Sequence, residues 1–366
     1  MNVSTRKVLL ALACGLAIGS AGAADLDPAG DIKAQAAKFV RVERPAALAG
    51  LKRVVITSYM VDYVTELKYT KSLSGFEAMI GADSDVSIKL VGGDNAQFQA
   101  ITDKFYAQTV EELAAQGIQV VPHEELAALP EFAELAQGAI TPLPSEQDAK
   151  AGKGLFFTAK GLPLHLVDET QFIAIFNAPF TKPRQDNFLT FGSSFSGNFS
   201  VHQTQQAEDK IAKKLDATVL KVRLTILGGQ LSPDTSFWSG GKVSTKAAAS
   251  FVDFVSRYAF ITPAGDKARV SLQEIAETGE IGVLINTTSD GTAAMDTAKN
   301  AALVALNVAA VAARFGGLNV GGVGGFSATK ELELRVQPEP FEQALLTHQR
   351  TVAKMFGEKI INPGQE

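Results

Sequence analysis

The stretch VVITSYMVDYVTE, Val54 to Glu66, decides the fold class. It is rich in β-branched and aromatic residues, and Val55, Thr57, Tyr59, Val61 and Tyr63 alternate along one face of the strand it predicts. The other face, Ile56, Ser58, Met60, Asp62 and Val64, is also mostly apolar, as expected of a central strand covered on both sides. Asp62 is its one charge. Working outward, Asp94 and Gln97 have capping-box spacing, so a helix is expected to start there. Phe98, Ile101, Phe105, Val110 and Leu113 recur at near-helical spacing, and Gly117 stands where a left-handed residue ends a helix. IQVVP then reads as a second strand, and strand, helix, strand is a layered α/β unit.

The first residues, MNVSTRKVLLALACGLAIGSAGAAD, carry two cations, an apolar run from Val8 to Ile18 and Ala21-Gly22-Ala23. This is the pattern of a secretory signal peptide over 1–23, and its apolar run is too short to span a bilayer. Alanine before Cys14 departs from a lipoprotein signal. Cleavage after Ala23 leaves 32 basic against 39 acidic residues and no cysteine. The mature chain is therefore expected to be periplasmic or secreted, without disulfides, thiolate metal sites or a membrane span, and its charge argues against nucleic-acid binding.

The expected fold is α+β: a mixed sheet with helices packed on it, as two related halves or one large domain with insertions. Residues 24–51 form a leader, 52–137 a first half, 138–161 a linker or long loop, 162–357 a second half and 358–366 a tail. Within the first half, Lys68 to Gly93 suits a hairpin or extended arm, and HEELAALPEFAELAQG a short helix broken before Pro130. The second half should hold strands at Leu164–Val167 and Gln171–Asn177, a helix from Gln203 to Leu215, the strand TVLKVRLTILG and a turn region from Gln230 to Gly241. A meander follows, FVDFVSRYAFIT, KARVSLQEI and IGVLINTT, with turns at PAGD and ETGE. From Asp290 to Phe315 runs a helix whose segment Ala301 to Ala313 has no charge. Glycine-rich Gly316 to Gly325 reads as a reversal into the strand TKELELRVQ, and a final helix carries Phe341, Leu345, Val352 and Met355 on one face.

Three fragments, ITDKFYAQTVEELAAQGIQVVPHEEL, KIAKKLDATVLKVRLTILG and VSLQEIAETGEIGVLI, resemble elements of the CsgG-like and TolB-amino-terminal-like α/β domains of the bacterial envelope. The resemblance implies a helix leading to a strand that ends near a Val-Pro corner, and a hairpin turning at a Thr-Gly-Glu corner. It concerns a fold, and a fold alone does not fix function.

Chemistry is sparse. His123, His165, His202 and His348 show no metal-ligand spacing, and His348 falls on the packing face of the last helix. Gly192 to Gly197, GSSFSG, reads as a loop and matches a nucleophile elbow only loosely, because glycine is required where Ser196 stands. The glycines after Phe315 follow a helix, whereas a phosphate loop follows a strand. No catalytic residue, cofactor or metal site is expected. Asp62 is the charge to watch: either buried with hydrogen bonds or a cation, or raised in pKa, or at a strand end in water. Candidate ligand or partner contacts are Asp62, Phe195, Trp238, Phe315 and Phe326. The reading that follows is a non-catalytic envelope protein acting as an assembly or adaptor component, through contacts with other envelope proteins or with itself. The alternative is a periplasmic carrier holding a lipid or other apolar molecule, suggested by 22 phenylalanines and the apolar helix.

Overall fold

The computed structural model describes residues 24–71, 84–149, 152–165, 197–233, 243–251, 256–287 and 328–364. The expected signal peptide, the strand Gln171–Asn177, the helix 290–315 and the glycine run after it lie outside them. Among the described residues all strands belong to one mixed sheet, with helices packed on both faces. The strands are β1 (Ala24–Asp25), β2 (Val40–Glu43), β3 (Arg53–Lys71), β4 (Ser84–Val91), β5 (Gln119–Val120), β6 (Ser145–Ala149), β7 (Gly152–Thr158), β8 (Thr218–Pro233), β9 (Val243–Phe251), β10 (Arg257–Ile261), β11 (Lys267–Leu272), β12 (Ala276–Glu280), β13 (Gly282–Asn286) and β14 (Ala328–Val336). The α-helices are α1 (Ile32–Phe39), α2 (Asn95–Ala115), α3 (His123–Ala127), α4 (Pro130–Gln137), α5 (Gly197–Leu215) and α6 (Pro338–Ile361).

Two strands form the spine. β3 is 19 residues long and β8 is 16, and they pair in parallel from Val54↔Thr218 to Val64↔Leu227. Both are several times the usual strand length of about 5–6 residues, so each can serve two sets of neighbours. Along its first half β8 pairs with β10, which continues through β11 to β2. Along its second half β8 pairs instead with β9. β3 makes the same change: after Val64 the edge held by β8 ends, and from Glu66↔Lys89 the partner is β4.

The upper halves close into a ring. β4 pairs in parallel with β14, β14 with β13, and β12 with β9, which returns to β8. β12 and β13 are one extended run that changes partner at Ile281, whose N–H bonds the Ala247 carbonyl at 2.9 Å. This run joins β9 to β14 through Ile281, with β13 itself paired to β14 at the end of the strand path. It also forces a close approach at Gly282, where a Cβ would sit 2.2 Å from the Arg335 carbonyl oxygen.

α1, α2 and α6 cover one face of the lower sheet. Tyr59 packs edge-on against Tyr106 and Tyr258 edge-on against Phe356, while the Tyr63 and Phe98 rings meet at a tilt of 34°. The side chain of Asp94 caps α2 by accepting from Gln97 N–H at 2.8 Å. The reciprocal half of the expected capping box is replaced, since Gln97 Nε2 donates to the Pro338 carbonyl and ties α2 to the start of α6. At the other end Gly117 takes φ +77°, and Ile118 N–H reaches back to the Leu113 carbonyl at 3.0 Å, closing the helix as a Schellman motif. Phe341, Leu345, Val352 and Met355 are buried on α6 as their spacing predicts. α4 and α5 lie on the opposite face, joined by Lys214–Glu131 (2.6 Å) and Lys210–Glu134 (3.1 Å).

Several expectations are corrected. Residues 24–51 are part of the core: β2 extends the sheet, and Leu26, Ala36, Phe39, Val40 and Leu48 are buried. The 138–161 segment supplies the β6–β7 hairpin, whose second strand pairs with β3. Leu164 and His165 are not in a strand, and α5 starts at Gly197, six residues early. β8 continues through Gln230 to Pro233, where a turn was expected. ETGE makes no corner: it stays extended in β12, with a register shift between Glu277 and Glu280. The last helix runs to Ile361, into the expected tail.

Candidate functional site

The two faces of the spine differ in chemistry. Toward α2 and α6, β8 presents Leu220, Val222, Leu224 and Ile226, and β3 presents Tyr59, Val61 and Tyr63, all nearly inaccessible. Three tyrosine hydroxyls, each met by a threonine, cross-link that layer. Thr109 Oγ1 meets Tyr59 OH at 2.9 Å and Tyr258 OH at 3.1 Å and accepts from Gln349 Nε2 at 3.1 Å, while Tyr63 OH meets Thr102. Burial pushes the tyrosine pKa values upward, so these phenols stay neutral.

The opposite face is polar and yet buried. Alternation on β8 places Lys221, Arg223 and Thr225 there, and register sets them beside Ser58, Met60 and Asp62 of β3. Arg257 of β10 lies directly across from Arg223. All of these are under a tenth exposed. Glu208 of α5 reaches the same face, accepting from Lys221 Nζ at 3.0 Å and from Thr57 Oγ1 at 3.0 Å. That bridge fixes the helix on the sheet through a fully desolvated ion pair. Met60, Phe156 and Leu164, with Ile140 against them, make a small apolar cluster beside the charged groups.

Asp62 stands at the centre. It is 2% exposed, opposite Thr225 on β8 and Phe156 on β7. Its Oδ1 makes no hydrogen bond and lies against Gly154, where a Cβ would come within 2.6 Å of it. Loss of hydration pushes its pKa up to about 7, with the Arg223 guanidinium pulling the other way. The hydroxyls of Thr158, Thr225, Ser250 and Ser271 on this face are likewise buried without hydrogen-bond partners. Such groups are uncommon in folded proteins, and their concentration on one sheet face marks it as the chemically unusual part of the described structure. A carboxyl raised to about 7, beside the Thr225 hydroxyl and within the field of the Arg223 guanidinium, can hold or exchange a proton near neutral pH.

Of the residues singled out in sequence, Asp62 lies in this cluster; Phe195, Trp238, Phe315 and Phe326 lie outside the described residues, as does Ser196. His123 packs edge-on against Phe132, and His348 Nδ1 contacts the Ala344 carbonyl at 2.7 Å. His165 is buried beside Gly138. His202 falls within α5. Among the described residues no group of three or more His, Cys, Asp or Glu is placed to hold a metal ion, and no helix is long and apolar enough to cross a membrane. Two surface depressions, of about 520 Å³ beside Arg44 and Lys267 and about 350 Å³ between Asp94 and Glu339, are open to solvent. Sequence reasoning missed Lys221, Arg223, Arg257 and Glu208. The available signal was the strict alternation of LKVRLTI from Leu220 to Ile226.

Searches against protein-family models, curated proteins and solved structures found no match to this chain.

Proposed function

We propose that the chain is a non-catalytic assembly or adaptor component of the bacterial envelope that works through protein contacts at one end of its strand ring. The supporting observation is where the strands end. Lys71, Ser84 and Ala328 stand side by side in register, and Pro233 pairs with Val243 on the neighbouring hairpin. β13 runs toward the same end and finishes at Asn286. Three connections, 72–83, 234–242 and 287–327, therefore leave and re-enter the ring at one end. They hold Trp238, Phe315, Phe326 and the charge-free run from Ala301 to Ala313. Aromatic side chains are frequent anchors of protein contacts. The sequence pattern of a secretory signal supports the periplasm as the compartment.

Native mass spectrometry of the mature chain, purified without detergent, tests this reading. Oligomers, or complexes with a second envelope protein, that disappear when 234–242 is replaced by a short Gly-Ser turn are the expected result. A monomer carrying a lipid-sized adduct would overturn it in favour of a carrier.

A further inference from the structure

Asp62 sits two residues before the point where β3 exchanges partners. β8 is its neighbour through Val64↔Leu227 and β4 from Glu66↔Lys89, while the register with β7 slips between Val64 and Glu66. The sheet is weakest at such a fork, because ladder bonds are interrupted on both edges of one strand. A buried carboxyl with an unbonded oxygen is placed at that spot.

We infer that Asp62 makes the junction between sheet and ring an acid-stabilised latch: neutral, it keeps β3, β7 and β8 closed at the fork; ionised, it loosens them. In the neutral form the carboxyl can donate to its register partner Thr225, whose buried Oγ1 is also without a partner. In the ionised form the desolvated charge has the attraction of Arg223 and no hydrogen bond to Oδ1. The charged groups on the elements packed around it are Glu66 of β3, Lys153 of β7, Lys221 and Arg223 of β8, Arg257 of β10 and Glu208 of α5. Lys221 is engaged by Glu208 at 3.0 Å, which leaves Arg223 as the principal counter-charge acting on Asp62.

The direction follows from linkage. Opening the fork exposes Asp62 to water, where its pKa is about 3.9, so the open form loses its proton first as pH rises. Closure is therefore strongest in acid, weakens up to the folded pKa of about 7, and is level above it. This device does not rest on the assembly role proposed above, and it is read out on the isolated chain.

The test is hydrogen exchange of the mature protein from pH 5 to pH 9, corrected for intrinsic rates. The opening constant for amides 64–67 and 225–228 should rise roughly a hundredfold between pH 5 and pH 8, tenfold for each pH unit below the folded pKa, and then level off. Asp62→Asn should abolish the rise. An unchanged wild-type opening constant, or the same rise in Asp62→Asn, overturns the latch. So does an equal rise in the α2 amides 101–113, which would make the effect global. If Asp62→Asn does not fold, the wild-type comparison of fork with α2 decides alone.

Discussion

Replacing Lys221 by Met should unseat α5 from the sheet. The Lys221 and Glu208 side chains are 4% and 1% exposed and their charged atoms are 3.0 Å apart, so neither is solvated by water. Met fills the volume of the lysine stem but takes the ammonium away from the buried Glu208 carboxylate, to which Thr57 Oγ1 still donates. Removing one partner of a buried pair costs about 3–5 kcal/mol, whereas replacing both by apolar side chains is often neutral. Glu208→Leu added to Lys221→Met should therefore recover most of the loss, short by about 1 kcal/mol for the Thr57 hydroxyl left without its acceptor. Urea denaturation at pH 7, followed by far-UV circular dichroism, reads both variants as shifts in midpoint at constant slope. A single variant within about 1 kcal/mol of wild type, or a double variant no more stable than the single, would refute the assignment of this pair as the anchor of α5.

Other variants probe other joints. Gly282→Ala places a Cβ against the Arg335 carbonyl, so ring closure should weaken by about 1–3 kcal/mol, with exchange of the β13 and β14 amides accelerated. Thr109→Val removes the hydroxyl shared by Tyr59, Tyr258 and Gln349 and should cost about 2–3 kcal/mol in urea, while the same change at exposed Thr347 costs little. Asp94→Ala should lower stability by about 1 kcal/mol through the lost cap of α2, measurable as a drop in Tm.

Much of this fold was legible because local signals agreed with the global arrangement. β3 declared itself through β-branched and aromatic alternation, and α2 through Asp94 at one end and Gly117 at the other. The PAGD corner turned as read: β10 and β11 pair antiparallel on either side of it. ETGE misled for a physical reason. Gly279 interrupts a strand as readily as it ends one, and here the chain stays extended through a register shift. The alanine-rich start hid the leader's place in the core, since Ala36, Phe39 and Leu48 are buried by elements more than 200 residues away, among them β11 and α6. The candidate site was half legible. Asp62 stood out as a charge in an apolar strand. Lys221, Arg223 and Thr225 alternate as any solvent-facing strand does, and only long-range contacts such as that with Glu208 show that their face is buried.

The central claim is that partners are met at the end of the ring. A photo-crosslinking residue placed at exposed Glu331, beside Thr287 where the chain leaves β13, tests it directly in cells, with exposed Lys33 on α1 as the comparison. The account predicts discrete protein adducts, to a second copy or to another envelope protein, from position 331 and none from position 33. Adducts from 33 alone, or none from 331, would contradict it.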